Sequence, residues 1–325
     1  MTQYLVFDIG GTNVKYALMD NEGQLLEKGK RTSADNLDDF VAALYEVGDQ
    51  YKGKFTGIAV CAPGKIDTEK MSIHYGGALT FLDGLNLEET LGSRYGVAVS
   101  AENDAKAAAL CEQWLGELKG VDIGAVMTLG TGVGGGIVVG GKLLHGSSFQ
   151  AGELSWMITN QEAGLKEMAA YTGARCSAVR MVERVNQELG NEDLDDGLAA
   201  FAAIKSGNEE AGKIFRQYCL DVAVMILNLQ TVINGEKVVI GGGISAQEIL
   251  IEEIRRQFGE ILQDNPILGQ QVIPPEIVAA KFRNDTNLYG ALFALLQIRV
   301  HQAPQVVRQA VVWLTRRPLV CAQAY

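Results

Sequence analysis

Asp8-Ile9-Gly10-Gly11-Thr12 near the amino end and Leu129-Gly130-Thr131-Gly132-Val133-Gly134-Gly135-Gly136 further along decide how this chain is read. Each stretch follows a short β-rich run, Tyr4 to Ile9 in one case and Ala125 to Leu129 in the other. A return strand follows each. Val14 to Met19 comes back after the first, Asp20-Asn21-Glu22-Gly23 turns, and Gln24 to Lys28 pairs again. After the second, Ile137 to Val139 leads into a Gly140-Gly141 hairpin turn and Lys142 to His145. Strand, glycine turn and hairpin therefore occur twice, at a separation too long for a solenoid repeat. Two similar halves facing each other across a cleft account for the duplication.

Glycine lets the backbone curl until several N–H groups point at one oxyanion. In the first stretch a carboxylate, Asp8, precedes the turn and a hydroxyl, Thr12, follows it. The hydroxyl suits a phosphate oxygen, and the carboxylate suits Mg²⁺ through water, because that ion gives up its hydration reluctantly. One Gly-Gly-Thr by itself reads rather as a tight hairpin turn. A second turn, Gly130-Thr131-Gly132, at the matching place moves the reading to a polyphosphate gripped from two sides. Gly130, Gly132 and Gly135 also satisfy GxGxxG, but they run into a strand where a dinucleotide site needs a helix. No GxxxxGK[ST] sequence is present for a P-loop.

Outward from these turns, apolar spacing predicts a helix over Asp39 to Tyr51, strands over Gly57 to Cys61 and Val97 to Ala101, and an alanine-rich helix from about Asp104 to Leu115. Further helices are predicted over Leu165 to Ala170, Ala174 to Leu189, Leu198 to Ser206, Glu209 to Ile233 and Asn287 to Ile298. Lys237 to Ile240 reads as a strand entering Gly241-Gly242-Gly243. Ser245 with Glu248 reads as the capping box of the next helix. The fold class expected is α/β, with two similar domains around a cleft. Residues 1–118 plus 288–298 form one domain, 119–287 the other, and 299–325 an atypical basic tail without acidic residues.

At 325 residues, two domains are the default. A net charge of −11 argues against nucleic acid and anionic membrane surfaces as partners. No signal peptide is read at the amino end, and no apolar run reaches the ~20 residues of a membrane span. Five scattered cysteines (Cys61, Cys111, Cys176, Cys219 and Cys321) fit reduced thiols in the cytoplasm. His74, His145 and His301 have no metal-ligand spacing and read as structural or surface residues. Pro63-Gly64-Lys65-Ile66-Asp67 reads as a structural turn.

Taken in order, Asp8 to Thr12, Asn103-Asp104 after a strand, Leu129 to Gly136, Ala151-Gly152-Glu153 and Gly241 to Ser245 resemble the ROK family of repressors and sugar kinases, over roughly residues 3 to 297. The resemblance implies an actin-like ATPase fold, with ATP and Mg²⁺, that phosphorylates a small-molecule sugar, commonly at the 6-hydroxyl. It implies Asp8, Gly10, Gly11 and Thr12 at phosphates and metal, Gly130, Thr131 and Gly132 as the opposing phosphate loop, and Gly242 and Gly243 near the adenosine. Asn103 would bind sugar hydroxyls, Asp104 would be the general base, and Glu153 would meet the sugar near its anomeric end. Apart from the resemblance, Asp104 reads as a helix N-cap, Glu153 as a turn carboxylate, and Gly241 to Ser245 as a strand-to-helix turn. With it, the positive pole of the helix favours an ionised Asp104.

The chain departs from the family in one place. Many members follow Ala-Gly-Glu with glycine-histidine and a cysteine cluster holding zinc, whereas here Trp156 stands at the histidine position and Cys176 is the only cysteine nearby. One thiolate cannot build a tetrahedral site, so no zinc is expected. Strict glucose specificity is then not implied. Glu167 is a candidate second sugar-binding glutamate or a solvated helix carboxylate. Family resemblance also implies a homodimer. A sugar-responsive transcriptional regulator or a non-catalytic sugar-binding protein is the rival reading, but Tyr4 already begins the first strand and leaves no room ahead of it for a helix-turn-helix.

Overall fold

The computed structural model describes residues 2–282 and 285–302. Its contacts divide the chain into two compact units: one comprises the residues up to Glu102 with the segment from Ala291, the other Asn103–Gly290. The basic tail read from residue 299 lies outside the described residues beyond 302.

In the first unit, β1 (Gln3–Ile9), β2 (Asn13–Asp20) and β3 (Leu25–Thr32) form an antiparallel meander, followed by α1 (Leu37–Gln50). Asn36 caps α1, its side chain accepting from the Asp39 N–H at 3.0 Å. β4 (Gly57–Ala62) pairs parallel with β1, and β5 (Lys65–Asp67) and β6 (Ser72–His74) make a separate small hairpin. That hairpin occupies the segment read as a turn around Lys65. A short helix, α2 (Ser93–Tyr95), precedes β7 (Ala98–Asn103), giving the sheet order β3-β2-β1-β4-β7. Leu5, Phe7, Ile58 and Val60 join Phe40 and Leu44 of α1 in the core. Each such buried side chain contributes about 1.5–3 kcal/mol.

The second unit opens with α3 (Asp104–Leu115), then β8 (Gly124–Leu129), β9 (Val133–Val139) and β10 (Lys142–Leu143). α4 (Thr172–Arg175), α5 (Ala178–Leu189), α6 (Gly197–Lys205) and α7 (Glu209–Ile233) follow. β11 (Lys237–Gly241), α8 (Glu248–Asp264), α9 (Pro266–Gln271) and β12 (Glu276–Ala279) lead to α10 (Thr286–Gln302). The sheet order is β10-β9-β8-β11-β12, and β11 is parallel to both β8 and β12. Alternation along the strands serves both faces. Ala125, Met127, Leu129, Val238 and Ile240 pack with α7 and α8, while Val126 and Val239 pack with Ala108 and Ala109 of α3.

Several local expectations change. The glycines 134–136 lie inside β9, where the sequence reading had them interrupting the chain. Residues 165–170 form turns with a single 3-10 turn at Met168–Ala170, and the helix read from Ala174 is broken at Cys176-Ser177. Ser245 is not a helix cap: it sits in a 3-10 turn and donates its hydroxyl to the Gly242 carbonyl at 2.8 Å, while α8 starts after Gln247. The contact boundary falls at Glu102/Asn103, ahead of the 118 read from sequence, because the alanines of α3 pack on β9 of the second unit.

α10 crosses the division between units at Gly290/Ala291. A Cβ on Gly290 would lie 1.8 Å from the Ala107 carbonyl oxygen, so α10 lies directly on the backbone of α3 there. Further along, Leu295 is fully buried against Gly57.

Candidate functional site

The loop between β1 and β2 is drawn tight by its own backbone. Gly10 N–H donates to the Asn13 carbonyl at 3.0 Å, and Ser33 closes the other side, its hydroxyl donating to Gly10 O at 2.6 Å and its N–H to Thr12 O at 3.0 Å. With those carbonyls engaged, Gly11 and Thr12 stand exposed at the tip. Asp8 is buried at the strand end and faces Lys15 across the hairpin, with the ammonium 3.5 Å from Oδ2.

The β8–β9 loop is built on the same principle. Gly130 N–H donates to Gly132 O at 3.0 Å, and the Gly130 carbonyl accepts from Ala178 N–H at 2.9 Å and the Ser177 hydroxyl at 3.4 Å. Thr131 is exposed at the tip. Here the carbonyl is held by the start of α5, which the break at Cys176-Ser177 makes possible.

The glycine run in β9 explains where α3 sits. A Cβ on Gly134 would be 2.6 Å from the Ala105 Cβ, and one on Gly136 would be 2.4 Å from the Ala109 Cβ. Alanines one helical turn apart thus meet glycines two residues apart on one face of the strand. Gly135 points the other way, toward Leu154 and the Gly152 carbonyl. This contact sets the first residue of α3, Asp104, beside β9. Asn103 is the actual cap, its Oδ1 accepting from Ala105 N–H at 3.0 Å and Lys106 N–H at 3.3 Å. Asp104 follows at the first helical position, exposed, with Oδ1 also accepting from Ala105 N–H at 2.7 Å.

Within the second unit, Asp104 and Gly242 line one cavity of about 220 Å³, together with Glu112, Thr128, Phe282 and Asn287. Gly242 has φ +96°, and a Cβ there would sit 2.0 Å from Leu129 O, so its lack of a side chain serves packing on β8. Gly243 has open space around the same position and is available to a ligand. The sequence reading missed Glu112, which is fully buried and accepts from the N–H groups of Glu117 and Phe282 at 2.8 and 3.0 Å, tying the segment before α10 to α3. Helical spacing marked it only as one more polar residue of an alanine-rich helix. Thr128 carried a signal in hindsight, since it precedes Gly130 as Asp8 precedes Gly10.

Glu153 is half-buried, and the Ser155 hydroxyl donates to its Oε1. Glu167 is exposed. Trp156, the residue at the histidine position, is 60% exposed and meets Tyr171 edge to face. Cys176 is fully buried in the core, where desolvation pushes its thiol well above the usual range. Among the described residues, no group of three or more His, Cys, Asp or Glu is arranged to hold a metal. No helix among them is long and apolar enough to cross a membrane.

The ROK family model matches residues 4–298. A β-glucoside kinase of Listeria monocytogenes is 30% identical over 294 residues, covering 90% of this chain and 96% of that protein. A ROK family protein of Streptococcus pneumoniae solved in complex with sucrose has TM-score 0.83 at 27% identity, covering 92% of this chain and 100% of the other. A ROK family glucokinase of Streptomyces griseus solved with glucose and AMPPNP has TM-score 0.74 at 25% identity, covering 90% and 98%. These likenesses carry the actin-like ATPase fold read from the sequence.

Proposed function

This chain belongs to the ROK family, and from that premise we propose that it is an ATP-dependent carbohydrate kinase acting on the 6-hydroxyl of a hexose or hexoside, with Asp104 as general base. The observation that carries this reading is the placement of Asp104. Glycines of β9 admit α3 so closely that an exposed carboxylate stands at the helix start, in a cavity shared with Gly242.

Phosphoryl transfer is mostly positioning and charge neutralisation. Gly10, Gly11 and Thr12, and likewise Gly130, Thr131 and Gly132, are the proposed phosphate ligands through their N–H and hydroxyl donors. Gly243 lets the adenosine approach, with Gly242 shaping the turn. Asp104 accepts the proton of the attacking hydroxyl. Asn103, whose Oδ1 caps α3, stands next to Asp104 and is the proposed ligand of a sugar hydroxyl. Glu153 accepts from hydroxyls near the anomeric carbon, and Glu167 is a second candidate there. The buried carboxylate of Asp8 fits Mg²⁺ held mainly by phosphates and water, and the ion would supply charge neutralisation on the phosphates. The proposed assembly is a homodimer.

A coupled ADP-release screen across hexoses and hexosides, with Asp104→Asn as control, tests the reading. Release that depends on a sugar and collapses in the variant supports it. Equal rates in both proteins remove Asp104 as the base, and no sugar-dependent release removes the kinase.

A further inference from the structure

Trp156 is the most conspicuous side chain left unused. Tryptophan is highly buried on average, yet this one is 60% exposed. It is also held firmly. Its 3-10 turn, Leu154–Trp156, is closed by Met157 N–H donating to Leu154 O at 3.2 Å, and buried Thr172 donates its hydroxyl to the same carbonyl. Immediately downstream, Thr172 N–H donates to Met157 O at 2.9 Å, Thr159 N–H to Ala170 O at 3.0 Å, and Ile158 bridges Tyr171. Tyr171 meets the indole at 5.7 Å and 85°, and its own hydroxyl is fixed on Leu165 O at 2.9 Å. An indole braced by a second ring and by backbone on both sides has little conformational freedom left to lose when something lies against it.

The same frame carries the sugar-site candidate. Glu153 immediately precedes the turn that presents Trp156, and Gly152 and Leu154 pack on Gly135 of β9. The turn 172–178 that braces Tyr171 also supports the second phosphate loop, through Gly173 beside Gly132 and Ala178 on Gly130. Carboxylate, indole and loop therefore belong to one connected scaffold within the second unit.

We propose that Trp156, braced by Tyr171, is a specificity-determining platform for the substituent on the anomeric oxygen of the acceptor. The preferred substrate class is then a glycoside carrying a flat or apolar ring at that position, such as an aryl group or a second pyranose. This rests on the reading that Glu153 faces the anomeric end of the sugar. An exposed indole face takes an aromatic ring or the C–H face of a pyranose, and contributes nothing to a free anomeric hydroxyl, which needs hydrogen-bond partners.

Two measurements separate the inference from the kinase reading. Phosphorylation of phenyl β-glucoside, cellobiose and glucose is compared in wild type, Trp156→Ala and Trp156→Phe. Binding of phenyl β-glucoside is followed separately by the change in tryptophan fluorescence without nucleotide. The expected result is that Trp156→Ala loses about tenfold more kcat/KM for phenyl β-glucoside than for glucose, mostly in KM, with Trp156→Phe recovering part of it. Wild-type fluorescence should respond to phenyl β-glucoside, and the response should disappear in Trp156→Phe. Sugar-dependent activity with equal losses for both acceptors overturns the platform and leaves the kinase standing. A fluorescence response lost in Trp156→Phe, without phosphorylation of any sugar, supports the platform and removes the kinase. Absence of both removes both.

Discussion

The loops at Gly10 and Gly130 sit at the same place in two sheets of the same strand order, yet they are not copies. In each, the first glycine donates forward across the loop, to Asn13 or Gly132, and its carbonyl is tied down by a serine, Ser33 or Ser177. What differs is the strand around them. The first unit places a carboxylate, Asp8, two residues before its glycine, paired with Lys15, and the second places Thr128 there, opposite Gly134. Glycines within the sheets are covered differently too, on β3 in the first unit and on β9 in the second. Gly29, opposite Tyr16, lies under that ring, whereas Gly134 and Gly136 lie under the alanines of α3. The two loops thus share a backbone plan and differ in the side chains that flank them.

Ways to break that comparison run from large to small. Asp104→Asn should lower turnover by roughly 10²–10⁴-fold while circular dichroism stays unchanged. A loss of less than tenfold would mean the second unit does not carry the base. Thr12→Ala and Thr131→Ala each remove a hydroxyl from one cradle, and a hydrogen bond to a charged group contributes about 1.5–3 kcal/mol. Each should therefore raise KM for ATP by about tenfold or more. An effect from only one of the two would show that only one loop holds phosphate.

Gly136→Val inserts branched bulk where a Cβ alone is already 2.4 Å from Ala109, and should cost about 1–3 kcal/mol in urea unfolding. Gly29→Ala pushes only against the outer end of the Tyr16 ring, and should cost less than about 1 kcal/mol. Reversed magnitudes would mean that bulk pressed on a helix is easier to relieve than bulk pressed on the end of a tyrosine ring. The smallest effect expected is at the cap. Asn103→Ala should lose about 1 kcal/mol of stability, and Asn103→Asp should restore it while still raising KM for the sugar, since only the NH₂ donor is missing. Full recovery of KM by aspartate would limit Asn103 to capping.

Much of this was legible from residue order. Gly10 and Gly130 marked two tight loops, the hairpins after them announced paired sheets, and Glu209–Ile233 appears as one helix with the bounds that its apolar spacing predicts. The failures share a cause. Gly134 to Gly136 looked like chain-breaking because local propensity counts glycine against a strand, but here the absence of Cβ atoms lets a helix settle on the sheet. Ser245 and Glu248 satisfied a capping pattern, yet the hydroxyl found the nearer Gly242 carbonyl. Asn103 and Asp104 were legible as a pair but not in their division of labour, because either side chain can cap a helix. Glu112 and Phe282 are linked only through the fold.

The path of α10 has a consequence for how the chain is made. Leu295, which covers Gly57 in the first unit, is synthesised after every residue of the second. Vectorial synthesis usually lets amino-terminal domains finish first. In this chain the earlier-emerging unit must wait on the ribosome with that part of its core uncovered until the later one has emerged, so nascent chains stalled before residue 290 should engage chaperones through the first unit.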